Sequence, residues 1–142
     1  MKILAVSGLA WLIAQVIKLV IAFVQTKKLN FYAMFASGGM PSSHTSFVVS
    51  MALQVGMIEG FRSTLFGVAM CFCLIVMYDA AGVRHAVGRQ AQMLNLLIDE
   101  YNVVKEVDIY KVKEILGHTP TQVVAGIFLG MFVGWAGVQY FH

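Results

Sequence analysis

Charge is sparse in this sequence, and so are proline and cysteine. Of 142 residues, 12% are charged and 59% hydrophobic, against about 25% charged in an ordinary soluble domain. A soluble fold of this length has too little interior to hide so much apolar surface. The scarcity of charge therefore excludes the soluble class and predicts an integral membrane protein. With only two cysteines, Cys71 and Cys73, there is no disulfide framework, because residues two apart on a helix point to different faces. The net charge of +3 is spread between apolar segments rather than gathered in one patch, which argues for membrane topology and against nucleic-acid binding. No low-complexity tract or soluble domain interrupts the chain. No ligand cluster for a metal is visible, and neither metal nor cofactor is expected.

What is present is apolar sequence in helix-sized pieces. A span uses about 20 residues, so the length suits one all-α membrane-embedded unit. Four spans are expected at about 3–24, 43–58, 63–79 and 119–141. A cleaved leader is the rival reading of the first, given Lys2 at its front. The run is long for a leader's apolar core and lacks a convincing small-residue cleavage site. The stretch 80–117 holds most of the charges; Gln90 to Ile98 reads as an amphipathic helix and Lys105 to Glu114 as a second, surface helix. In this topology Lys27, Lys28, Arg84, Arg89, Lys105, Lys111 and Lys113 share one side, opposite Lys2 and Arg62. The positive-inside rule places the richer side in the cytoplasm.

From Ile115 to His142 there is no Asp, Glu, Lys or Arg. The last span opens on a cap, with Thr119 as N-cap, Pro120 at the first helical position and Gln122 three after the cap. Gly126, Gly130 and Gly134 repeat every four residues, a stripe that lets another helix approach closely. Packing within the chain is the favoured reading of that stripe, and a homo-oligomeric face is the other.

The stretch Gly38 to Thr45, Gly-Gly-Met-Pro-Ser-Ser-His-Thr, interrupts the apolar pattern just before the second span. A helix start there offers unpaired amides and a positive dipole end to a phosphate. The four-span arrangement puts Lys18, His44, Asp79, Arg84 and His118 on one membrane face. Ionisable residues in or at the edge of spans are functional candidates by default. Lysine and arginine neutralise phosphate oxygens; one imidazole can attack phosphorus and a second can protonate the leaving oxygen. Each residue also has a plainer reading. Lys18 snorkels to the interface, Arg84 pairs with Asp79, and His44 and His118 satisfy backbone or loop groups. Gln122 acts only as a cap, and His85 and His142 are incidental.

Pro41-Ser42-Ser43-His44 resembles the Pro-Ser-Gly-His motif of the type 2 phosphatidic acid phosphatase and vanadium haloperoxidase superfamily. His118-Thr119-Pro120-Thr121-Gln122-Val123-Val124-Ala125-Gly126 resembles that superfamily's His-x-Pro-x-Asp-Val-x-Ala-Gly segment. With Tyr78-Asp79-Ala80-Ala81-Gly82-Val83-Arg84, nearly the whole chain is similar to the divergent bacterial and plastid branch. The resemblance implies His118 as nucleophile, His44 as general acid, and Lys18, Arg84, Ser42 and Ser43 as phosphate contacts, supported by Asp79 and Thr119. It implies the catalytic four-helix half of the usual six-helix fold, in a bacterial plasma membrane or a plastid-type membrane. The sequence departs from the pattern in five places, the first being Ser43, which stands where the second motif has glycine. Gln122 stands where the superfamily has the aspartate that orients the nucleophile. No serine precedes Arg84, the whole charged segment separates Arg84 from His118, and Gln25 stands where Lys18 would be followed by arginine.

The leading expectation is a metal-independent membrane phosphatase acting on a lipid-linked or amphiphilic phosphate through a phosphohistidine. The second is a relative that binds an anionic lipid or phosphate without hydrolysing it. The third is a small oligomeric transporter or channel.

Overall fold

The computed structural model describes residues 2–27, 39–105, 110–112 and 117–141, without the side chains of 84, 85, 104 and 105. It is an all-α membrane protein. Helix α1 is Lys2–Thr26, α2 is Ser43–Glu59 and α3 is Thr64–Tyr78; α4 is Arg84–Lys105 and α5 is Pro120–Phe141. A π-helical turn, Asp79–Val83, joins α3 to α4.

Three helical runs are long and apolar enough to cross a membrane: Lys2–Thr26, Thr64–Val103 and Pro120–Phe141. The fourth candidate, α2, has 17 residues, or roughly 26 Å at 1.5 Å per residue, the short end of what spans a bilayer. Its length is set by its caps. Ser42 accepts the Thr45 N–H at one end, and Gly60 with φ 92° breaks the helix at the other. Ser63 then caps α3 by accepting the Phe66 N–H at 3.1 Å.

Helix α2 is the interior of the bundle and packs against α1, α3 and α5. Its polar residues explain how a helix can be enclosed without a long apolar run. Ser42, Ser46 and Ser50 recur every four residues and meet the glycine stripe of α5. A Cβ on Gly126 would lie 2.6 Å from the Ser42 carbonyl oxygen, on Gly130 2.6 Å from that of Ser46, and on Gly134 2.9 Å from that of Ser50. Only glycine permits this approach. The stripe's partner is thus α2 of the same chain. On the opposite flank of α2, Gln54 donates to Ser7 Oγ of α1 at 3.2 Å and Lys18 of α1 donates to Ser43 Oγ at 3.3 Å. At the Gln54 end of the bundle, remote from Lys18 and Ser43, Lys2 Nζ donates to the Phe141 carbonyl at 2.7 Å, tying α1 to α5.

Two expectations need correction. Helix α3 does not stop at Asp79; it widens into the π turn and continues as α4, a run of 40 residues or roughly 60 Å. Residues 110–112 are not helical, because the Asn95 side chain of α4 takes both backbone groups of Val112. Its amide donates to the Val112 carbonyl at 2.9 Å and its oxygen accepts the Val112 N–H at 2.8 Å. Lys111 adds an ion pair with Asp99 at 2.7 Å. Lys105 is the last residue of α4; residues 106–109, 113 and 114 of the expected surface helix lie outside the described residues, as do the loop residues Lys28 and Gly38. In α4 the face toward the protein carries Ala91 and Asn95, whereas Leu94, Leu96 and Leu97 point outward. Cys71 faces outward and Cys73 inward.

Candidate phosphate-binding cleft

The first turns of α2 and α5 are built side by side. The Ser42 N–H, an orphan donor before α2, bonds the Gln122 carbonyl of α5 at 2.9 Å. The Ser42 hydroxyl accepts from the Thr45 hydroxyl at 3.0 Å, and the Ser42 carbonyl accepts from the Ser46 hydroxyl at 2.8 Å. Ser42 is fully buried, and its contacts are those of a cap holding α2 to α5.

Beside this junction, Lys18 comes up from α1. Its side chain is 6% exposed. Gly39, at φ +81°, lies over its stem, with a built Cβ 3.7 Å from Lys18 Cγ and Cδ. Among the described residues the hydrogen bond of the ammonium is to Ser43 Oγ, and no carboxylate lies within ion-pair distance of it. An ammonium carries three donors, and a buried charge without a partner is costly. This one sits at a helix N-terminus, where an anion is also favoured by the dipole.

On the other side of the first turn of α2 is a cleft of about 280 Å³ lined by His44, Ile75, Val76, Asp79, Ala80 and His118. Three chain-distant elements meet there. His44 enters from the first turn of α2, Asp79 from the π turn and His118 from the residue before the α5 cap. The backbone N–H of His118 donates to the Ala80 carbonyl at 3.1 Å, so the π turn fixes the height of the imidazole. Wide turns of this kind are frequent at functional sites.

Gln122 does two things with one oxygen. Its Oε1 accepts the Thr119 N–H at 3.2 Å and lies 3.1 Å from His118 Nδ1. The Thr119 N–H can only donate, so Oε1 is the acceptor and the neutral His118 carries its proton on Nδ1. The electron pair is thereby left on Nε2. The contact to Thr119 is the reciprocal half of a capping box, while the Thr119 hydroxyl lies 2.8 Å from that of Thr121.

The structure thus brings His44, Asp79 and His118 to one cleft, with Gln122 and Thr119 behind His118. Lys18 and Ser43 form a separate pair on the α1 side of the first turn of α2. Ser42 is a structural cap. Arg84 begins α4 directly after the π turn, and its side chain lies outside the described residues. The Ala80 carbonyl has no sequence signal, because any residue supplies one. The serine ladder of α2 does have one, since its four-residue period matches that of the glycines.

A helical membrane protein whose polar cleft joins two histidines at the N-terminal ends of facing helices is the class this arrangement defines. Residues 1–133 match the model of the Divergent PAP2 family, and the chain belongs to that family. A relative, the uncharacterized membrane protein YuiD of Bacillus subtilis (strain 168), is 38% identical over 139 residues, covering 89% of this chain and 88% of its own length. No solved structure matches the chain.

Proposed function

We propose that this protein is a membrane phosphatase that hydrolyses a lipid-linked or otherwise amphiphilic phosphate through a phosphohistidine. The observation that carries the reading is the buried Lys18 ammonium, with no carboxylate against it among the described residues. It stands beside the same helix start whose His44 shares a cleft with His118.

In the first step His118 Nε2 forms a bond to phosphorus as the bond to the leaving oxygen breaks. His44, protonated, gives its proton to that oxygen, and the alcohol departs. In the second step neutral His44 takes a proton from water, the water oxygen bonds to phosphorus and the P–N bond breaks, which regenerates both histidines. The first amides of α2 face the phosphoryl oxygens, and Lys18, on the α1 flank of the same helix start, adds positive charge nearby without touching them. Gln122 keeps the proton of His118 on Nδ1 in the resting state. It offers no charge to the imidazolium-like transition state, a specific reason to keep a second reading, a protein that binds the phosphate and does not turn it over. The charge distribution of the loops supports a cytoplasmic position for the cleft.

Purified protein assayed without divalent metal against a panel of lipid phosphates is expected to release phosphate, and His118→Ala to abolish release. Retained activity in that variant overturns the nucleophile. Phosphate binding with no release from any member of the panel selects the second reading.

A further inference from the structure

Below the cleft, on the same side of α2, lies an apolar slot of about 230 Å³ whose walls include Ala52 of α2, Met70, Cys73 and Met77 of α3, and Ile127 and Met131 of α5. It exists because α3 packs on α2 rather than on α5, leaving a gap between α3 and α5 that α2 floors. The slot and the cleft share one strip of α3. Ala80 and Val76 line the cleft, and Met77, Cys73, Met70 and Phe66 continue at three- and four-residue intervals into the slot. Its remote end is closed by Phe61 and Phe66, packed edge to face with ring centroids 5.2 Å apart. Gly56 makes the seat for that pair, since a Cβ there would lie 2.5 Å from the Phe61 ring and 2.9 Å from the Phe66 ring.

We propose that the slot holds the hydrocarbon tail of the amphiphile whose phosphate occupies the cleft, and that the Phe61–Phe66 pair sets the length of tail accepted. The inference rests on the phosphate reading of the cleft. The slot adjoins the cleft along α3, where Val76 of the cleft and Met77 of the slot are consecutive, and that adjacency identifies the occupant. Ala80 to Phe66 is 14 residues, roughly 21 Å of helix. An extended chain advances about 1.2 Å per bond, a third of the span of a residue, so the aromatic pair is reached after about 17 bonds. A tail gains no hydrophobic free energy on leaving a bilayer for a slot that is equally apolar. Selection therefore acts through the steric stop, and chain length is the quantity it reads.

The test uses single-chain alkyl phosphates bearing a photoreactive diazirine at mid-chain or at the tail end, in vesicles containing the full-length protein. Mid-chain label is expected on Met70, Cys73 or Met131 and tail-end label on Phe61 or Phe66. The unlabelled phosphate should suppress both labels, and its parent alcohol should not. Label confined to the outward residues Phe72, Leu74, Phe128 and Phe132 overturns the slot. Equal suppression by the alcohol marks a site for bulk lipid and overturns the link to the cleft. Competition by phosphates of graded length should be strongest near 16 to 18 carbons, following the bond count above. Phe66→Ala should move that optimum up by about four carbons, the depth of one ring at the same advance per bond. Phe61→Ala, at a residue 58% exposed, makes the same reading should Phe66→Ala fail to fold. An unmoved optimum in the folded variants overturns the stop. None of these readouts needs turnover, so the slot and the hydrolytic reading fail separately. The labelling pattern without phosphate release would leave the slot standing and remove the phosphatase.

Discussion

Adding one methyl group at Gly126 tests how tightly the cleft depends on the α2–α5 junction. The new Cβ would stand 2.6 Å from the Ser42 carbonyl oxygen and 2.9 Å from Thr45 Cβ. The first neighbour is backbone, so no side-chain rotation relieves the contact. Ordinary contact begins at 3.4 Å, so the helices must part by about 0.8 Å at Ser42. Overpacking of this kind costs about 1–3 kcal/mol. The same displacement stretches the 2.9 Å bond from the Ser42 N–H to the Gln122 carbonyl and moves His44 relative to His118. A misplacement near 1 Å costs on the order of 100-fold in rate. Gly134→Ala is the matched control. Its Cβ would meet the Ser50 carbonyl at 2.9 Å, so the separation is smaller and lies about 12 Å of helix from Ser42. Thermal unfolding in detergent should register both variants as destabilised, while phosphate release or phosphate binding should collapse in Gly126→Ala alone. Gly67→Ala, with nothing within 4 Å, should leave both readouts intact. A Gly126→Ala protein with the stability and activity of the parent would refute the ladder as the element that sets the cleft.

Three further outcomes are expected. Lys18→Met should weaken phosphate binding by about tenfold, the worth of a nearby positive charge that makes no direct contact, and leave thermal stability equal or higher by about 1–4 kcal/mol, because it removes a buried charge; binding isotherms and melting curves check the two signs together. Gln122→Glu should raise turnover at least about tenfold by giving His118 the carboxylate it lacks, with the Thr119 N–H still accepted; no gain in single-turnover rate would show that Gln122 does not limit the chemistry. Asn95→Leu should cost about 1–3 kcal/mol through the loss of both bonds to Val112, read as faster hydrogen exchange at residues 110–112, with exchange in α2 unchanged.

Helix starts were the legible part of this chain. Ser42 and the Thr119-Pro120 pair announce α2 and α5 through cap chemistry that acts within four residues. The partners of these residues across the bundle are legible only in part. The glycine stripe of α5 was visible, and its match to Ser42, Ser46 and Ser50 was available in the same four-residue period. The continuation of α3 was not legible, because Asp79 and Gly82 carry the signature of a stop. A tertiary bond from His118 to the Ala80 carbonyl meets the widened turn instead. Residues 105–114 alternate charge in a helical rhythm, yet at Val112 the Asn95 amide competes successfully for the backbone. The four-span reading gathers two histidines and a lysine at one end of the bundle, and the structure has them around the first turn of α2. The division of that end by α2, with Lys18 on one flank and the cleft on the other, follows from the helical angle between Ser43 and His44 and needs the fold.

The glycine–serine ladder has a mechanical consequence. It welds α2 and α5, the helices behind His44 and His118, into a single rigid strut, and α3 is not part of that weld. Where α3 meets α5, the bond from His118 to the Ala80 carbonyl pins it at the level of the cleft. Helix α3 is thereby held at both ends, at the cleft by that bond and at Phe66 by its capped turn from α2 and its seat on Gly56. The wall of the slot and the spacing of the two imidazoles are therefore set by different contacts, the first between α2 and α3 and the second between α2 and α5.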